Sequence, residues 1–166
     1  MLIAVLFSAA LANEPVVTLE SNHTVVGEVT VQASAEACEA LLKDPKELAT
    51  LSSDVLSTEV EAPRADGCRE VKRKAKGLFR PLMFRTVRCE KDEKIVEELI
   101  PGDDFTDYSV EWDIVENDGE VTIKYKARSG VNLPVPQTVV DRSAVRAAKE
   151  LLSNLVRKLT GKGNRR

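Results

Sequence analysis

From about Gln137 to Leu159 the chain sustains a helical apolar period longer than any other stretch does. Val140, Ala144, Ala148, Leu151, Leu155 and Leu159 form one stripe, with Val145, Leu152 and Val156 beside it. Asp141, Arg142, Arg146, Lys149, Glu150 and Lys158 occupy the remaining surface, and Gly161 stops the helix. Nearly everything before it is written with period two. One long helix with one apolar stripe must bury that stripe against the sheet those segments make, so the chain is α+β.

The segments His23–Ala33, Val55–Ala62, Cys68–Lys76, Leu82–Glu90, Lys94–Ile100, Tyr108–Glu116 and Glu120–Arg128 read as seven strands. In the first, Val25, Gly27, Val29 and Val31 share a face and polar residues take the other. Two brief helices follow it. Ser34 caps one carrying Cys38, Leu41 and Leu42; Asp44-Pro45-Lys46-Glu47 opens the next, with Asp44 as cap, Pro45 at the first helical position and Glu47 closing a capping box. Folding the last hairpin at Asn117-Asp118 sets Ile114 opposite Val121, Trp112 opposite Ile123, Val110 opposite Tyr125 and Glu111 opposite Lys124. Turning the Cys68–Glu90 hairpin at Gly77 brings Cys68 opposite Cys89, close enough either for a disulfide or for two reduced thiols. Cys38 is expected to be a small buried hydrophobe.

The ends carry a different signal. Met1 to Ala12 is almost wholly apolar and finishes in Ala10-Leu11-Ala12, the small-x-small spacing of a cleavage site, although no basic residue precedes it. Residues 1–12 therefore read as a secretory signal, making the protein secreted or periplasmic. Residues 162–166 form a basic tail. No later stretch approaches the ~20 apolar residues of a membrane span. A net charge of −3 gives no reason to expect a nucleic-acid partner, and a monomer is expected.

Strand, two short helices, six strands and a long C-terminal helix: this order resembles the helix-grip superfamily of START lipid-transfer and birch-pollen-allergen-like proteins. The resemblance is nearest to the polyketide cyclase/dehydrase and coenzyme Q-binding group. It covers about His23 to Gly161 and includes Asp44-Pro45 before the second helix and Leu133-Pro134-Val135-Pro136 before the long one. It implies a seven-stranded curved antiparallel sheet gripping the C-terminal helix as one domain over residues 23–161. It also implies a cavity between the two that binds or carries a hydrophobic small molecule or lipid, with enzymes a minority.

The residues give their own reason to expect that cavity. Ala144, Ala147 and Ala148 thin the helix stripe, and aromatic filler is only 4% of the chain. Either a dry apolar void remains or the helix settles closer to the sheet and fills it. The expected wall comprises Trp112, Tyr108, Tyr125, Phe84, Val110, Ile123, Ala144, Ala148 and Leu151. Alternation with Val71 and Ala75 also turns Arg73 inward, with Arg88 following Phe84 and Thr86. A buried cation there needs either Glu97 or Glu98 or an anionic ligand head group as partner.

The hairpin tip from Gly77 to Phe84 is apolar between strongly basic flanks. Leu78, Phe79, Arg80 and Lys76 are the residues expected to meet an anionic bilayer, against the plainer reading of a solvated basic strand pair. Catalysis has little to stand on. His23 is the single histidine, the cysteines lack metal-ligand spacing, and no phosphate loop or nucleophile elbow is present, so neither metal nor cofactor is expected. Two rivals remain: a cyclase- or dehydratase-like enzyme acting on a polyketide-like substrate with Tyr108, Tyr125 or Glu98 as acid–base groups, and a protein-interaction module docking through the basic hairpin, where neutralising Arg80 and Arg85 would abolish partner binding.

Overall fold

A computed structural model describes residues 14–161. The apolar run 1–12 and the basic tail 162–166 lie outside the described residues. The element order is β1 (Val16–Leu19), β2 (Val25–Val31), α1 (Ala35–Lys43), α2 (Pro45–Ala49), β3 (Val55–Val60), β4 (Arg69–Ala75), β5 (Leu82–Lys91), β6 (Lys94–Ile100), β7 (Phe105–Asn117), β8 (Glu120–Val131) and α3 (Gln137–Thr160). All strands join one antiparallel sheet in the order β1-β2-β8-β7-β6-β5-β4-β3.

Among the described residues the sheet has eight strands rather than seven. The extra one, β1, pairs Val17 with Gly27 and precedes His23, where the first strand was expected to begin. It is a short edge strand, mostly exposed, so it carries none of the buried alternation by which strands are read from sequence. The last hairpin is also shifted by two residues from the expected register: Ile114 faces Ile123, Trp112 faces Tyr125 and Val110 faces Ala127. The turn is Asp118-Gly119 rather than Asn117-Asp118, and both turn residues have positive φ (50° and 80°), the geometry a two-residue hairpin needs. A two-residue slip preserves faces, so Trp112, Val110 and Ile123 still point inward. The outward partner of Glu111 becomes Lys126.

The short helices form as their caps direct. Ser34 Oγ accepts from Ala37 N at 3.1 Å, and Asp44 Oδ1 accepts from Lys46 N and Glu47 N at 2.9 and 3.1 Å. Glu47 does not complete a capping box. The Asp44 amide is already bonded to Leu41 O, and the Glu47 carboxylate reaches across to Lys158 on α3. At the other end of α3, Gly161 leaves the helix in the left-handed conformation (φ 66°).

Helix α3 packs on β2, β1 and β8, to one side of the sheet. Gly27 makes that close approach possible: a Cβ there would lie 2.5 Å from Leu152 Cδ1, and Leu152 is fully buried. Beneath this contact Val29, Val31, Leu42, Val121, Ile123 and Leu155 close one end of the fold into a solid core. The curved sheet continues past the helix through β7, β6, β5, β4 and β3, and the space left under it becomes the site.

Candidate functional site: an apolar cavity with a charged floor

Between the concave sheet and the N-terminal half of α3 lies a cavity of about 510 Å³, within the range of small-molecule sites. Trp112, Tyr108, Tyr125, Phe84, Val110, Arg73, Ala144 and Leu151 line it, all expected from the sequence. Ile123 and Ala148 do not. Ile123 is fully buried opposite Val29 on β2, and Ala148 is likewise sealed, because the close seating of α3 on β2 turns both into the closed core. Ala144 and Ala147, on the part of α3 facing the void, leave their volume open.

Phe105 was not anticipated. Strand β7 begins at Phe105 rather than Tyr108, with a register irregularity between Phe105 and Asp107, and the added residues bring this ring to the cavity. Its centroid is 4.4 Å from Phe84 and 5.8 Å from Tyr108, and Phe84 is 4.9 Å from Tyr108. Trp112 and Tyr125 pack at 4.6 Å. Aromatic residues are scarce in this chain yet concentrate on one wall, where such pairs add to simple burial. Only Pro101-Gly102 signalled that the strand could restart so soon.

The floor is charged. Arg73, Arg88 and Glu97 are all buried and all face the cavity. Glu97 accepts from both terminal nitrogens of Arg73, from Arg88 Nη1 at 2.8 Å and from Thr86 Oγ1 at 2.5 Å. Arg73 Nη1 also bonds Thr86 Oγ1 at 3.2 Å, and Arg88 Nη2 donates to the Leu42 carbonyl on α1. The Arg73 guanidinium lies 5.9 Å from the Phe84 ring centre, in cation–π range. Burial opposes ionisation of Glu97, but Arg73 and then Arg88 and Thr86 outweigh it and hold the carboxyl below its ordinary range. Glu98, the alternative partner, is exposed on the opposite face of β6, so it is neither the ion-pair partner nor a group inside the cavity.

Tyr108 and Tyr125 share this environment. Burial pushes the Tyr108 hydroxyl up to about 12, helped by Glu97 and opposed by Arg73 and Arg88. Burial raises Tyr125 as well. Neither hydroxyl hydrogen-bonds to another described residue, and both side chains line the void.

The mouth lies between Ser52–Val55, the turn after β4, and the Leu133–Val135 connection into α3. Lys76 and Leu78 stand at its rim. Leu78 and Phe79 are 67% and 78% exposed, so the tip is free of the body of the protein. Phe79 and Arg80 are outside the cavity, and Arg80 forms a two-point pair with Asp104 at 3.0 and 2.6 Å. Much of the expected basic surface is neutralised in this way, through Lys72–Glu61 and Arg85–Asp103 pairs. Lys74 and Lys76, nearest the tip, make no ion pair with a described residue. At the far end of β4 and β5, Cys68 and Cys89 are joined in a disulfide and Cys38 is free and buried. Among the described residues no helix is long and apolar enough to cross a membrane.

Solved proteins share this architecture. A START superfamily protein from Mycobacterium smegmatis superposes with a TM-score of 0.71 at 22% identity, over 84% of this chain and 98% of that one. The Zhui aromatase/cyclase from Streptomyces sp. R1128 gives 0.65 at 15% identity, over 86% and 98%. A STAR-related lipid transfer protein from Xanthomonas axonopodis gives 0.60 at 13%, over 89% of this chain and 99% of the fragment. At these identities the likeness establishes the fold alone. No curated protein sequence matches the chain. A family model described as polyketide cyclase / dehydrase and lipid transport matches residues 22–160. The chain therefore belongs to the polyketide cyclase / dehydrase and lipid transport family, and it has the helix-grip fold of the START-type structures.

Proposed function

We propose that this protein is an exported, non-enzymatic carrier of a hydrophobic small molecule or lipid, held between the sheet and α3. The observation that carries the reading is the cavity of about 510 Å³ with its aromatic wall and open mouth. Phe84, Tyr108, Val110, Trp112, Tyr125, Ala144 and Leu151 make the apolar contacts, and Phe105 joins them. The titration of the tyrosines favours carriage over turnover. A phenol raised to about 12 is poorly matched to proton transfer near neutral pH, and the one histidine, His23, is more than half exposed and bonded to Asp141 at 2.8 Å.

Export is supported by the apolar segment 1–12 and by the Cys68–Cys89 disulfide, which suits an oxidising compartment. Cargo exchange takes place at a membrane surface. Leu78 and Phe79 enter the interface beside the mouth, with Lys74 and Lys76 near the phosphates. Arg80 is committed to Asp104 and serves to shape the tip.

Native mass spectrometry of gently purified protein tests the proposal. A bound hydrophobic mass, released on denaturation and recovered in organic extract, is the expected result. Protein that purifies empty and takes up no lipid from mixed vesicles contradicts it.

A further inference from the structure

The charged floor is unbalanced. Arg73 and Arg88 bring two guanidinium groups and Glu97 one carboxylate, all almost wholly removed from solvent. The other acidic residue lining the cavity, Asp54, sits at the mouth with Arg146, 3.4 Å away. Among the described residues one positive charge in the deep end is therefore uncompensated, and a buried charge without a counter-ion is costly.

Donors are in surplus too. A guanidinium offers five N–H groups and a carboxylate only acceptors. Glu97, Thr86 and the Leu42 carbonyl occupy the terminal nitrogens, whereas the Nε–H groups of Arg73 and Arg88 have no partner among the described residues. Both arginine side chains line the cavity. Tyr108 and Tyr125, whose hydroxyls have no partner among the described residues, line the same space, and the Phe84 ring that stacks under Arg73 at 5.9 Å lies 4.9 Å from the Tyr108 ring, which puts Tyr108 beside the cluster. Above this polar patch the wall is apolar and aromatic.

We propose that the cargo is an amphipathic organic acid, seated with its anionic group at the floor against Arg73 and the Tyr108 hydroxyl and its apolar body toward the mouth. The inference rests on the carrier reading and specifies the chemistry of what is carried. Glu97 holds the two cations in place and leaves one charge for the ligand to neutralise. Carboxylate recognition by guanidinium is charge-assisted and favours the acid over a neutral molecule of equal length.

Displacement of the neutral probe 1-aminoanthracene by dodecanoate and by dodecanol, at a pH where the acid is ionised, tests this. Dodecanoate is expected to displace the probe at least about tenfold more tightly than dodecanol. That preference is expected to shrink severalfold in Arg73→Gln and, should that variant fail to fold, in Tyr108→Phe, which removes one oxygen and no charge. Equal displacement by the two compounds overturns the acid proposal and leaves the carrier reading standing. Displacement by neither overturns both. A preference unchanged in both variants places the acid elsewhere and also overturns the proposal.

Discussion

Replacing Glu97 by Gln probes the cluster on which the shape of the cavity depends. The carboxylate takes four hydrogen bonds, two from Arg73 and one each from Arg88 and Thr86. The amide keeps an acceptor for Arg73 and Thr86 at one position, but at the other its NH₂ confronts Arg73 Nη2 and Arg88 Nη1, donor against donor. Two charge-assisted bonds are lost, at about 1.5–3 kcal/mol each. Two buried guanidinium groups are also left without their counter-ion. Removing one partner of a buried pair typically costs about 3–5 kcal/mol, and water reaching the cluster through the open cavity keeps the loss inside that range. With a urea slope of about 2 kcal/mol/M the midpoint should fall by roughly 2 M. Urea unfolding followed by circular dichroism and tryptophan fluorescence, with the slope unchanged, is the assay. A loss below about 1 kcal/mol would show that the pairs are not formed as described.

Four further outcomes follow from the geometry. Reducing the disulfide, or replacing Cys68 and Cys89 together by Ala, should lower stability by about 2–4 kcal/mol, since the bridge spans a separation of 21 residues; an unchanged urea midpoint contradicts this. Asp104, held by Arg80 and then by the Met83 amide, has its carboxyl lowered to about 2. Because the folded-state value is the depressed one, its stabilisation is complete above the ordinary carboxylate range and disappears as the pH falls toward 2. In Arg80→Ala its NMR titration midpoint should rise, and a midpoint that stays put refutes the pairing. Gly27→Val should lower stability by about 1–3 kcal/mol and weaken probe binding, because the new side chain meets buried Leu152 and lifts α3; a variant as stable as the parent would show that α3 does not depend on this contact. Lys74→Glu with Phe79→Ser, both outside the cavity, should abolish sedimentation with anionic vesicles while leaving probe binding intact, whereas unaltered sedimentation rules out the tip as the docking face.

The architecture was legible because its signals are local. Alternation in β2 and β4 to β8, the caps at Ser34 and Asp44, and the stop at Gly161 each specify an element without reference to the rest of the chain. The Cys68–Cys89 facing pair followed from turning β4 onto β5 at Gly77, and the inward turn of Arg73 and Arg88 from parity along those strands, which survives a register slip of two. What stayed illegible depends on distances between elements. Strand β1 is exposed and has no buried face to announce it, and Phe105 reaches the cavity only through an irregularity in β7. Ile123 and Ala148 were placed at the cavity because the stripe of α3 says which residues point inward, not where along the sheet the helix lies. That position depends on Leu152 meeting Gly27. The parity that turned Arg73 inward allowed Glu97 or Glu98 as its partner, and strand pairing with β5 decided for Glu97.

The central claim is that the space beneath α3 receives a guest, and titration of 1-aminoanthracene into wild type and Ala144→Phe tests it most directly. Ala144 faces the void, so a phenyl ring there fills open volume without crowding the closed core. The account predicts saturable one-to-one binding to wild type, weakened at least about tenfold in Ala144→Phe with no loss of stability. Equal binding by both proteins, or none by either, would contradict it.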